Sequence, residues 1–343
     1  SSVYTEKHAR RFFEEAGRWW TSTRRREALR WTLTGTIGLT VGLVGVAVQQ
    51  ATTALLGFKL GLVRSLYSND EWFLAGLALV SLNCLLVLVP FLCVLVEPLA
   101  AGSGIPEIKS FLNGVNLRYV VRIKTFFAKV GGVIFSVAGG LPAGKEGPMV
   151  HAGAVIAAGV SQGKSQTLGF DTTWSRFQDF RNDASKRDFI ASGAAAGVAS
   201  AFHAPIGGVL FSLEEGASFW STALTWRSFF CASLAVVAAL LVGGASSTNV
   251  NQPQKDSMFS FGEFSSNDED DTGSYALWEL LFFLALGVVG GVAGALFNGG
   301  NRVLALRRRG FSDKPRYRLL ELLAVAGTMG LLSFCLPLLW GCT

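Results

Sequence analysis

An all-α polytopic membrane protein is predicted by three features: the scarcity of charge, the length of the apolar runs, and the glycine and proline that interrupt them. Half of the 343 residues are hydrophobic, 16% are charged, and mean hydropathy is +0.40. Soluble domains carry roughly 25% charged residues, so the deficit points to lipid as the solvent. The 40 glycines have no three-residue period, which excludes collagen. In lipid, glycine at this density marks close helix packing and broken helices.

Along the chain, residues 1–26 are polar and strongly basic, with Phe12, Phe13, Trp19 and Trp20 as interfacial anchors. Apolar runs follow at about 31–48, 72–96, 126–142, 190–213, 228–243, 276–297 and 319–340, with a further stretch at 148–160. Several approach the roughly 20 residues that span hydrocarbon. Others are shorter and end in Gly and Pro, as at Gly139, Gly140, Leu141 and Pro142. A helix that stops at bilayer depth is tolerated only where it lines a cavity or is covered by protein. Gly38, Gly42 and Gly45, and later Gly287, Gly290, Gly291 and Gly294, have helix-packing spacing.

The net charge of +6 is not spread as nucleic-acid binding requires. Arg10, Arg11, Arg18, Arg24, Arg25, Arg26 and Arg30 precede or open the first apolar run, and Arg307, Arg308, Arg309, Lys314, Arg316 and Arg318 separate two late ones. Basic loops flanking spans belong on the cytoplasmic side. The polar stretch 246–274, with Asp268, Glu269, Asp270 and Asp271, suits the opposite, luminal face. One crossing then returns the chain to the basic 307–318 loop, so the topology is self-consistent.

Catalytic and metal chemistry find no support. The five cysteines have no C-x-x-C spacing and the three histidines are scattered, so no metal, cofactor or redox site is expected. No nucleophile–base pair stands out, and an enzyme is not expected. Gly139 to Lys145 fits the opening of a phosphate-binding loop. The next residue, however, is Glu146 where Ser or Thr would hold magnesium, and Pro142 stiffens the turn.

Two breaks carry the chemistry: Gly102-Ser103-Gly104-Ile105-Pro106-Glu107 and Gly144-Lys145-Glu146-Gly147-Pro148. Each starts a helix with Pro near its first turn, where the missing N–H costs nothing. Free amides and the positive end of the helix dipole at such a start favour an anion. Two of them within one membrane domain can converge near the midplane. Chloride needs only that partial charge and a hydroxyl, which Ser103 supplies. Glu146 on the second turn can compete with chloride for the amides and leave when protonated, acting as gate and proton acceptor. Further on, Ala204-Pro205 opens a helix that ends in Glu214 and Glu215. Adjacent helix residues point about 100° apart, so at most one of them faces inward, and either could simply be solvated.

Together GSGIPE (102–107), GKEGP (144–148) and AAAGVASAFHAPIGGVLFSLEEGASFW (194–220) resemble the CLC chloride channels and chloride/proton exchangers. SFLNGV (110–115), VIAAGVSQGKS (155–165) and KRDF (186–189) are similar to the endolysosomal exchanger branch. The resemblance implies an inverted repeat of tilted and broken helices, with the first repeat at 27–245 and the start of an incomplete second at 275–343. It implies chloride held at Ser103, Gly104 and Ile105, with Gly102, Pro106, Lys145, Gly147 and Pro148 forming the two anion-binding helix starts. Glu146 would be the external gating and proton glutamate, and Glu215 the internal proton glutamate that passive channels lack. Chloride and protons would be the substrates and a homodimer the assembly, in an endosomal, lysosomal or vacuolar membrane, with an accessory subunit left open. His203 departs from the family pattern. A downstream G-x-F-x-P segment, a pore tyrosine and CBS domains are also implied, so the chain is expected to be a fragment. A passive voltage-gated channel and a truncated, non-transporting subunit are the alternatives.

Overall fold

A computed structural model describes residues 21–115, 117, 119–163, 180–246, 277–310 and 314–339. The basic N-terminal anchors and the acidic loop expected beyond Ser246 lie outside the described residues. Ten α-helices follow one another, with no strand among the described residues. They are α1 (Ser22–Ser68), α2 (Trp72–Val96), α3 (Ile105–Leu112), α4 (Ile123–Ala138), α5 (Glu146–Gln162), α6 (Asp183–Phe202), α7 (Pro205–Phe211), α8 (Thr222–Ser246), α9 (Glu279–Arg308) and α10 (Pro315–Leu339). Five of them (α1, α2, α8, α9 and α10) are long and apolar enough to cross a membrane.

The chain divides into a main unit, residues 1–253 with 326–343, and a smaller unit, residues 254–325. In the main unit α1 starts at a Thr21 cap, whose hydroxyl accepts from the Arg24 amide at 3.3 Å. Its 47 residues run about 70 Å at 1.5 Å per residue, so the apolar run expected at 31–48 is only the middle of a much longer helix. Gly57 and Gly61 lie inside it without ending it. The run expected at 190–213 is two helices, α6 and α7, parted at His203, whose φ of 55° ends α6 in the left-handed region.

Lipid offers no hydrophobic drive for one apolar helix to leave it for another, so association depends on close contact. Glycine provides it here. A Cβ on Gly153 of α5 would strike the Gly193 carbonyl oxygen of α6, and one on Gly197 the Met149 carbonyl oxygen. The order of these contacts makes α5 and α6 antiparallel. Gly38 and Gly42 of α1 meet the Cys231 and Ala235 carbonyl oxygens of α8 in the same order along both helices, so this pair is parallel. The packing read from those two glycines therefore holds. Around the crossings sit the buried clusters of Ile37, Val41, Phe180, Phe189 and Cys231 and of Ile108, Leu112, Val150, Ile190 and Ala194. The second cluster seats the short α3 against α5 and α6.

In the smaller unit, α9 buries none of its residues and Arg308 pairs with Glu321 at 2.7 Å. Gly287, Gly290, Gly291 and Gly294 meet no atom within 4 Å, so the packing expected of this second set is not made inside the unit.

Gly153→Leu is expected to destabilise the main unit by about 1–3 kcal/mol or more, because neither backbone can yield. Gly57→Ala, whose Cβ enters open space, is expected to stabilise α1 by about 0.5–1 kcal/mol. Thermal unfolding in detergent, followed by tryptophan fluorescence, separates the two.

Candidate functional site

The first break is a turn built on two left-handed glycines, Gly102 at φ 72° and Gly104 at φ 82°. Gly104 is the N-cap of α3, with Ile105 and Pro106 in the first turn. Gly104 also has no space for a side chain, since a Cβ there would sit 2.5 Å from Lys129 Nζ and strike His151 Nδ1. The Ile105 amide donates weakly to Ser103 Oγ at 3.4 Å, which uses an oxygen lone pair and leaves the hydroxyl hydrogen to donate elsewhere.

The second break starts α5, with Lys145 at the N-cap and Glu146, Gly147 and Pro148 in the first turn. Neither N-cap residue, Gly104 nor Lys145, caps its helix with a side chain, and Ser103 reaches the Ile105 amide only weakly, so first-turn amides are open to a partner. The two starts meet. A Cβ on Gly147 would lie 2.6 Å from Ser103 Cβ and 3.2 Å from Ser103 Cα. The structure thus brings together Gly102, Ser103, Gly104, Ile105 and Pro106 with Lys145, Glu146, Gly147 and Pro148. The half-buried Glu146 carboxylate folds back over Gly144, where its Oε2 takes the space a Cβ would need. Lys145 turns away and donates to Gln49 Oε1 of α1.

Glu215 lies elsewhere. After α7 the chain makes a π-helical turn, Ser212–Gly216, begun by a Ser212 hydroxyl that donates to Ala191 O at 2.9 Å. Such turns insert a residue and are frequent at functional sites. Both Glu214 and Glu215 are exposed, so neither faces the interior. Glu215 Oε2 instead accepts from Lys109 Nζ of α3 at 2.8 Å. The Lys109 ammonium, by hydrogen bond and charge, holds the Glu215 carboxyl below the usual carboxylate range. This glutamate is outside the long apolar spans.

Three buried residues were not singled out by the sequence reading. Lys129 Nζ lies 2.7 Å from His151 Nδ1, directly behind Gly104, and His151 Nε2 lies 2.8 Å from Val120 O. A carbonyl can only accept, so Nε2 carries the hydrogen and Nδ1 accepts from lysine. Glu107, in the first turn of α3, is the nearby opposite charge. Lys59 donates to Asn83 Oδ1 at 2.9 Å and to Ala138 O at 2.6 Å. It thereby places a cation at the C-terminal end of α4, where the helix dipole favours one. For Lys129, its place inside the 126–142 apolar run was the available signal. His203 borders a cavity of about 570 Å³ with Gln49, Gln50, Thr53, Lys145 and Ser200.

An all-helical, multi-pass membrane domain in which two broken helices start side by side, at Ser103 and Gly147, is thereby defined. The chain belongs to the voltage-gated chloride channel family, matching it over residues 84–342. It is 43% identical over 323 residues to H(+)/Cl(-) exchange transporter 7 of Homo sapiens, covering 92% of this chain and 39% of that protein. It is 40% identical over 318 residues to Chloride channel protein D of Dictyostelium discoideum, covering 92% and 30%. Its fold superposes with a TM-score of 0.68 on a slow cyanobacterial Cl-/H+ antiporter at 25% identity, covering 89% of this chain and 63% of that one. The chain therefore spans well under half the length of these curated relatives.

Lys129→Met is expected to leave the buried His151 Nδ1 without its donor, costing about 1–3 kcal/mol. Lowered thermal stability in detergent, with His151→Ala giving little further loss in the Lys129→Met background, checks the pairing.

Proposed function

We propose that this chain forms a portion of a chloride/proton exchanger of an endosomal, lysosomal or vacuolar membrane, working as a homodimer. The observation that carries the reading is the meeting of two uncapped helix starts at Ser103 and Gly147, with the Glu146 carboxylate lying over the adjoining turn. Chloride is held by the Ser103 hydroxyl, by amides around Gly104 and Ile105, and by the dipoles of α3 and α5. Glu146 and chloride carry like charge and compete for one set of donors. A proton on Glu146 removes its charge, weakens its hold on the amides and lets chloride replace it. Each swing of the side chain thus exchanges a proton step for an anion step.

Glu215 serves as the inner proton station, apart from the Glu146 turn. This role is supported by family resemblance and by its position at a π-helical turn beside α3. The names of the relatives support chloride and protons as substrates. A passive chloride channel is the second reading, favoured by the channel name of a relative at 40% identity.

The deciding measurement uses the full-length protein in liposomes under a chloride gradient. Proton movement against its own gradient is expected, and chloride flux that moves no protons would sink exchange. Glu215→Ala is expected to remove proton movement while chloride flux persists. Glu146→Ala is expected to remove proton movement and the dependence of chloride flux on pH.

A further inference from the structure

The short helix α3 has two functional ends. Its start carries the Ser103–Gly104 turn, and its last turn carries Lys109, whose ammonium reaches Glu215 at 2.8 Å. Lys109 lies one turn beyond Ile105, about 6 Å further along the axis at 1.5 Å per residue. Both partners are about half exposed, 48% and 60% at the side chain. An exposed pair of this kind adds little to stability, so its significance is in where it holds the carboxylate.

Among the described residues, Lys109 is the charged group that acts on Glu215. Lys186 and Arg187 of α6 lie over the rings of Phe111 and Phe219, at 5.4 and 4.6 Å. Glu214 beside it is exposed. The seat of α3 on this turn does not depend on Lys109. Asn113, the C-cap of α3, accepts from the Ser218 amide at 3.0 Å, and Ile108 and Leu112 are buried against α5 and α6. Removing the ammonium therefore leaves both helix and turn in place.

We infer that Lys109 is a positioning residue for the proton limb: it tethers the Glu215 carboxylate to the helix that presents the chloride turn, and it lets go when that carboxylate takes a proton. This rests on the assignment of Glu215 as the inner proton station. A carboxylate held by an ammonium is stabilised in its charged form, so the pair resists protonation. Protonation converts a charge-assisted bond into a weak one and releases Lys109. The proton step is thereby registered on α3, the element that carries the anion turn at its other end.

The sign follows from the partner's charge. Lys109 keeps the Glu215 carboxyl acidic, so without it Glu215 takes up protons at higher pH. In the full-length protein in liposomes, proton-coupled chloride flux is measured while pH is varied on the Lys109 side. Lys109→Met is expected to retain chloride flux and to move the proton-flux profile to higher pH, and Lys109→Arg to keep the parental profile. Lys109→Gln, which can still donate to the carboxylate but has no charge, serves in its place if the methionine variant is not recovered folded. A neutral variant whose profile overlays the parent overturns the inference. If Glu215→Ala uncouples protons and the neutral Lys109 variant shifts nothing, the positioning role alone fails. If Glu215→Ala leaves proton flux intact, the station itself is wrong and Lys109 falls with it.

Discussion

In hydrocarbon a backbone amide at the start of a helix has no water to fall back on, so a helix that begins inside a membrane needs a partner for its first turn. The starts of α3 and α5 lack side-chain caps, and the rest of the site can be understood as the means of bringing these two ends together. Gly147 allows the backbone of α5 to approach Ser103, and Gly153, Gly193 and Gly197 allow α5 to lie against α6 without side chains between them. A Cβ at Gly147 or Gly153 would push these surfaces apart. The two helix starts would then face separate spaces.

Two buried lysines complete this arrangement from behind. Lys129 stands against Gly104 with His151 as its acceptor, and Lys59 binds the final carbonyl of α4 together with Asn83. A cation in low dielectric is costly unless bonded, and both have bonds that fix a helix break in place. Lys59 holds the end of α4 before the turn that leads to Glu146. Lys129 adds positive charge behind the turn that carries Ser103. The breaks are thus held both by glycine geometry and by buried charge.

How far the sequence reveals this depends on the range of the interaction. The breaks at 102–107 and 144–148 were legible because glycine and proline act on their own neighbourhood, and Gly38 and Gly42 because helix spacing is local. The length of α1 was not, because the polar residues that end its apolar run do not end a helix. Lys59, Lys129 and His151 were missed for a different reason. Their partners are 24, 79, 22 and 31 residues away, and no spacing rule links a lysine in one helix to a histidine in the next. The pair of glutamates at 214–215 was legible only as a pair. The π-helical turn that exposes both and gives Glu215 to Lys109 is a backbone irregularity with no sequence signature of its own.

The two carboxylates illustrate why placement matters more than residue type. Glu146 is half-buried and folded back over Gly144 at a helix start. Glu215 is exposed and held by an ammonium. Environments that differ in this way set apart the tasks of otherwise similar acids. Between them lies an eight-residue helix, with Ile108 and Leu112 buried. Those two side chains seat it against α5 and α6, while Pro106 and Lys109 stay exposed. On the inferred role of Lys109, a change in charge at its end of this helix is felt on the same short element that carries the Ser103 turn.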